Sequence, residues 1–303
     1  MSMAGSRTTT AADAGAPAQL TRSWRDGRAL HSRILTSSTW LAAVIAAVPL
    51  ISVLYMLVVR GGARLGREVF LELPPAGFEP GGGFGNAVMG TVVMVGLAAL
   101  VAIPLGVLAA VFLAEFGPAS SLARFARFAT KTLTGFPSVL AGVFAYALVV
   151  LATGTYSAPA GGLALAVLML PTVILTAEEA IKAVPRITRD AAFGMGCTRT
   201  QVVWKVMLPT ALPGILTGVM LGIARAAGET APLLFTALSS SYWLFEGIRP
   251  HLMQPTASLA VLIYNFSGMP FDNQIELAWT ASLVLVLMVL VINVLSRLVG
   301  RRA

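Results

Sequence analysis

The chain has 303 residues, of which 57% are hydrophobic and only 11% charged, against about 25% charged in soluble domains. A mean hydropathy of +0.83 and several charge-free runs long enough to cross a bilayer exclude an ordinary soluble domain. The net charge of +8 reads as membrane topology, because cytoplasmic loops carry the cationic excess, rather than as a nucleic-acid surface.

Residues 1–39 are rich in Ala, Thr, Ser, Gly and Arg and cannot bury enough apolar surface to order alone. They are expected to form a flexible cytoplasmic tail. Residues 40–59 are twenty uncharged residues, enough for a first helical span at about 1.5 Å per residue. This run starts too late and is too long for a cleaved signal peptide. A Gly- and Pro-rich loop over 60–85 leads to a transmembrane domain expected over 86–297, holding five more helices. Its second span starts near Asn86. The run 132–177 is 46 residues without a charge, which fits two spans joined by the turn-rich TGTYSAPAGG at 153–162. A fifth span is expected from about Leu212 to Leu238, and a sixth over 277–296. Pro49, Pro104, Pro171 and Pro213 fall inside spans and read as kinks, tolerated where neighbours satisfy the freed carbonyls.

Six spans place both termini on one side. With that side inside, sixteen of the 21 Lys and Arg residues lie on inner loops and tails. Four lie outside (Arg60, Arg64, Arg67, Arg249), and Arg225 lies within a span. This bias makes both termini cytoplasmic. The fold class expected is an all-α integral membrane protein of six transmembrane helices. Continuous rather than alternating apolar runs exclude a barrel.

The inner loop DAAFGMGCTRTQVVWKVMLP, residues 190–209, is built from two short helical signals. Thr188 is placed to cap a first helix, with Asp190 near its positive end. Gly194 and Gly196 permit a sharp turn, and Thr198 with Gln201 has capping-box spacing for a second helix. That helix would present Val202, Val203, Trp204, Val206 and Met207 before Pro209 opens span five. An apolar surface on a cytoplasmic loop needs a partner or a membrane surface to lie on. The single cysteine, Cys197, permits no intrachain disulfide and reads as a plain small hydrophobe.

A second motif, ARAAGETAP at 224–232, puts charges inside span five. Arg225 lies roughly 20 Å along the helix from Leu212, within a hydrocarbon core of about 30 Å. A charge there costs about 2.5–3.5 kcal/mol even on the lenient insertion scale. Arg225 and Glu229 are four apart and share a helix face. They can form a mutual ion pair that makes both tolerable, or line a wet path. An arginine fork suits an oxyanion. Glu229 can then act by partly neutralising Arg225, or by accepting a hydrogen bond from the P–OH of hydrogen phosphate.

The inner loop resembles the cytoplasmic signature of ATP-driven importer permeases: Glu-Ala-Ala, three residues, Gly, nine residues, Ile-x-Leu-Pro. Asp190 stands for the Glu and Val206 for the Ile. RAAGETAPLLFTA at 225–237, GFPSVLAGV at 135–143 and PTASLAVLIYNF at 255–266 sharpen this to the phosphate ABC transporter permeases of the PstA type, over nearly all of 86–297. The resemblance implies the ABC importer type-1 transmembrane fold in the bacterial cytoplasmic membrane, and a coupling loop over 186–209. In that loop Asp190, Ala191, Ala192, Gly196, Leu208 and Pro209 would engage the ATPase, with the two alanines allowing close approach. It implies that Arg225, Glu229 and Thr230 face the transport path. It also implies four partners: a PstC-type permease, two copies of a PstB-type ATPase, a PstS-type extracytoplasmic phosphate-binding protein and membrane lipids. The sequence has no Gly-x-x-x-x-Gly-Lys-Ser/Thr phosphate cradle, so the ATPase would be a separate chain and no cofactor is implied.

The remaining features read quietly. His31 and His251 lack metal-ligand spacing. Glu178, Glu179 and Lys182 read as a solvated helix end. Tyr242, Trp243 and Phe245 could rest at the membrane interface or receive a binding protein. Rival readings are a permease for sulfate or molybdate and an ATP-independent secondary transporter. An enzyme is disfavoured by the lack of any His–Asp, His–Glu or Cys–His constellation.

Overall fold

The structure, a computed structural model, describes residues 27–246 and 249–300. Two compact units are present, Met1–Leu54 and Tyr55–Ala303. In the first, the described part belongs to helix α1 (Gly27–Gly62), where Trp40, Leu41, Val44 and Ile45 are exposed. The helix starts thirteen residues before the expected span at 40–59. Residues 27–39 contain no proline and only the initial glycine, so helix can propagate beyond the apolar run. The hydroxyls of Thr36, Ser38 and Thr39 donate to the carbonyls of Ser32, Ile34 and Leu35, each at 2.8 Å, which accommodates polar residues inside a helix. Of the expected tail, residues 1–26 lie outside the described residues.

The second unit contains a short helix α2 (Glu68–Leu71), a long α3 (Gly85–Phe116), and an angled pair, α4 (Ser121–Thr134) and α5 (Ser138–Thr153). There follow α6 (Ala158–Lys182), α7 (Arg186–Gly194), α8 (Arg199–Gly228), α9 (Ala231–Leu234), α10 (Leu259–Ser267) and α11 (Asp272–Gly300). A small antiparallel ribbon pairs Phe245–Glu246 (β1) with Arg249–Pro250 (β2). Among the described residues five helices are long and apolar enough to span a membrane, and the α4–α5 pair, bent by 108°, would be the sixth. The bend falls at Gly135-Phe136-Pro137, where proline disfavours helix in the residue before it.

α6 is the central span, with 67% of its apolar window buried. Met94, Ala98 and Ala102 of α3 meet Leu165, Met169 and Val173 of α6, and Ile215 and Val219 of α8 complete the main core. The α6–α8 contact depends on glycines four residues apart. A Cβ at Gly214 would lie 2.7 Å from Ala180 Cβ, one at Gly218 would collide with Thr176, and one at Gly222 would come within 2.9 Å of Met169. Small residues at this spacing let membrane helices approach backbone to backbone. A second core joins Phe84 and Ala87 of the α3 end to Leu259 and Leu262 of α10 and Leu277 and Ala281 of α11.

Span five differs from expectation at both ends. It runs continuously from Arg199, because a π turn at Val203–Met207 absorbs the ring of Pro209. It stops at Gly228, not Leu238: Glu229 is extended (φ −76, ψ 125) and Pro232 starts the next turn.

Candidate functional site

The glycine contacts fix the depth of the charged pair. Gly214 meets Ala180, Gly218 meets Thr176, Gly222 meets Met169, and Gly161 meets Leu233. In this antiparallel register Arg225 stands level with about Met169, near the middle of α6. That helix is roughly 37 Å long at 1.5 Å per residue, so Arg225 stands near the middle of its length. Its side chain is 41% exposed, and its Nε lies 3.4 Å from Oε1 of Glu229, which is 18% exposed. Thr217, Leu221 and Arg225 are exposed at four-residue intervals, so one face of α8 is uncovered along its length. A cavity of about 320 Å³ borders this face toward its inner half, lined by Pro213, Thr217 and Leu221 of α8 with Asn293 and Arg297 of α11.

The helix break at Gly228 positions Glu229 and Thr230. Thr230 caps α9, its carbonyl accepting from Leu233 and Leu234 N–H at 3.1 and 3.2 Å. Pro232 then seats on Gly142 of α5, where an added Cβ would lie 2.7 Å from Pro232 Cα. Thr256 N–H donates to the Ala237 carbonyl at 2.9 Å, and Leu259 N–H donates to Thr91 Oγ1 at 2.8 Å. The three separate segments 135–143, 225–237 and 255–266 thus converge around the broken end of α8.

The inner loop forms two helical pieces, with corrections. α7 starts at Arg186 behind Pro185, and Thr188 caps nothing; proline has already set the helix entry, leaving Thr188 inside the first turn. Gly196 makes the turn at φ +82, whereas Gly194 is an ordinary last helical residue. The capping box of Thr198 and Gln201 is complete, with Thr198 N–H donating to Gln201 Oε1 at 2.9 Å. Val202, Val203 and Met207 are buried in the chain's own core and are not presented outward, because they begin the long helix α8. Trp204 does face outward as expected and Val206 is half-buried, and the rest of the outward apolar surface comes from Ile187, Phe193 and Met195. Asp190, Ala191, Gly196 and Pro209 are exposed, Leu208 is half-buried, and Ala192 packs into the core.

Ion pairs tie this loop to the bundle, and sequence reasoning missed them. Arg189 Nη2 lies 2.6 Å from Oε1 of the buried Glu115, in the π turn that ends α3. Arg199 lies 5.3 Å from the ring centre of Phe116. Glu178, expected to be solvated, is buried between Lys182 at 2.6 Å and Arg127 of α4 at 2.7 Å. Arg127 also donates to the carbonyls of Leu113 and Pro118 at 2.6 and 2.8 Å. Lys182 stands four residues from Glu178, but Arg127–Glu178 and Arg189–Glu115 join residues 51 and 74 apart in the chain, so no local spacing announces those two. The usable signal was the position of Glu115 and Glu178 at the ends of apolar spans, since a carboxylate buried there requires partners. Among the described residues no three His, Cys, Asp or Glu side chains converge as a metal site.

The fold matches transmembrane subunits of solved ABC importers. Superposition on the inward-facing MetNI methionine ABC transporter gives a TM-score of 0.56 at 21% identity, covering 72% of this chain and 92% of that one. A bacterial alginate ABC transporter, solved with an alginate pentasaccharide-bound periplasmic protein, gives 0.55 at 17% identity over 90% and 94%. These likenesses show the fold, the type-1 transmembrane fold of ABC importers. Residues 102–303 match the family described as binding-protein-dependent transport system inner membrane component. The phosphate transport system permease protein PstA of Pasteurella multocida is 37% identical over 89% of this chain and 95% of its own length. Those of Yersinia pestis (37%, covering 92% of each chain) and Mycobacterium tuberculosis (PstA 1, 32%, 90% of this chain) are similar along the same length. The chain belongs to this inner-membrane component family and, within it, to the PstA permeases. It is a multi-pass inner-membrane transport subunit, not an enzyme.

Proposed function

We propose that this chain translocates inorganic phosphate inward by alternating access, with Arg225, Glu229 and Thr230 lining the path. The observation that carries this is Arg225, exposed on the uncovered face of α8 level with the middle of α6, with Glu229 beside it just past the helix end. An arginine exposed at that depth would cost about 2.5–3.5 kcal/mol against lipid; a water-filled path between two permease subunits removes that cost. The guanidinium offers a fork of donors that keeps its charge at any physiological pH. Glu229, held close by the helix break, moderates that charge so an anion passes without being trapped, or accepts a hydrogen bond from a protonated phosphate oxygen. Thr230 adds a hydroxyl at the same break.

The drive comes from the loop over 186–209. Asp190, Ala191, Gly196 and the exposed Ile187, Phe193 and Met195 form the surface for an ATPase subunit. Ala192, Leu208 and Pro209 join that surface to the bundle. Because α8 is continuous from Arg199 to Gly228, a push on the loop moves the far end of the same helix, where Arg225 stands. The assembly would pair this chain with a PstC-type permease, two PstB-type ATPase subunits and a PstS-type phosphate-binding protein. ATP-dependent uptake by the reconstituted complex in vesicles tests the reading. Phosphate should accumulate and sulfate should not; equal uptake of both would overturn the choice of phosphate and leave the transporter class standing.

A further inference from the structure

The angled helix α4 has a face that transport does not use. Its sequence, SLARFARFATKTLT, carries Arg124, Arg127 and Lys131 and no carboxylate. Arg127 fixes the roll of the helix by pairing with Glu178 and bonding the Leu113 and Pro118 carbonyls, while Ala123 and Thr130 are buried. At about 100° per residue, Leu122, Phe125, Ala129 and Leu133 then share an arc of roughly 80°. Arg124 and Lys131 lie together on the opposite side. Leu122 is 61% exposed, Phe125 67% and Phe128 68%.

The two ends of α4 are held at one level. Four residues separate the end of α3 at Phe116 from the start of α4, and three separate the end of α4 at Thr134 from the start of α5. α3 is long and apolar enough to span a membrane, and α5, the 16-residue limb of the bent pair and about 24 Å of helix, leaves α4 at 108°; with α3 and α5 as the crossing segments, both ends of α4 lie at one face of the bilayer. A helix so tethered runs along the membrane surface, not through it. We infer that α4 lies in the headgroup region of the inner leaflet, with Leu122 and Phe125 among the acyl chains and Arg124 and Lys131 on anionic lipid phosphodiesters. Charge complementarity selects this occupant: apolar residues on one side and unopposed cations on the other match an anionic bilayer surface.

The test uses the full chain in nanodiscs of phosphatidylcholine with or without phosphatidylglycerol, in a Cys197→Ser background. A fluorophore is attached at Phe125→Cys or, as an aqueous reference, at Ile187→Cys. The label at 125 should be quenched by lipids brominated on the acyl chain, and several-fold less by iodide than the label at 187. Retention of phosphatidylglycerol in native mass spectra should weaken about fivefold for each of Arg124→Gln and Lys131→Gln. Equal iodide quenching at the two sites would show a water-facing helix. Protection from both quenchers would show a protein-covered one. Either result, or unchanged lipid retention in the double variant, overturns the inference, and the labelling arm keeps both cations intact.

Discussion

Among the described residues Arg225 pairs with Glu229, at 3.4 Å. If the arginine serves only to pair with the glutamate, replacing both by neutral isosteres should leave transport intact. If it meets the anion, Arg225→Gln should abolish phosphate uptake at normal complex levels, and Arg225→Lys should restore only part, since an ammonium lacks the paired donors of the fork. Glu229→Gln should lower uptake by about tenfold, the value of one charged hydrogen bond. Normal flux in that variant would remove Glu229 from the path. Initial-rate uptake, normalised to assembled complex, reads all three. That Arg225 and Glu229 are neighbours was legible from their spacing of four residues. That the helix ends between them was not, because the break needs Pro232 seated on Gly142 of a distant helix.

At the level of elements, the Glu115–Arg189 pair makes α7 and the end of α3 one mechanical piece. Cutting it should loosen transmission without touching either the ATPase surface or the anion path. Glu115→Gln and Arg189→Gln should each keep ATP hydrolysis while reducing phosphate moved per ATP several-fold. The double variant should be milder than the sum of the two, because each single change strands a buried polar partner. Additive losses, or loss of hydrolysis and uptake in parallel, would make the pair purely structural. The glycine contacts give a stability test. Gly218→Val should cost about 1–3 kcal/mol through overpacking against Thr176, seen as a lower thermal midpoint in detergent. An unchanged midpoint would mean that α6 and α8 can separate freely. The capping box at Thr198 and the turn at Gly196 were readable because each is a local rule. The burial of Val202, Val203 and Met207 was not, since a helix's inward face is set by what packs on it and periodicity alone does not say which side is covered.

For the molecule as a whole, the apolar runs find the helices but do not mark where they end: α1 begins thirteen residues before its apolar run, and the fifth span begins and ends well before its expected bounds. Span three is only 16 residues, Ser138–Thr153, about 24 Å of helix, and its predecessor α4 leaves the bundle at an angle that composition cannot convey. The inner loop, the charged pair and the outer segment 236–256 follow each other along the chain, and α8 connects the first to the second as a single rod. In the proposed mechanism, motion at the loop changes which side of the membrane can reach the level of Arg225. Leu221→Cys in a Cys197→Ser background places a thiol on the same exposed face, one turn inward of Arg225. Its reaction with a membrane-impermeant thiol reagent, added from either side of vesicles holding the assembled importer, measures this directly. The thiol should react from the inside without nucleotide and from the outside when the ATPase subunits are trapped with ATP. A thiol that never reacts from either side, or reacts from one side in both states, would contradict the account.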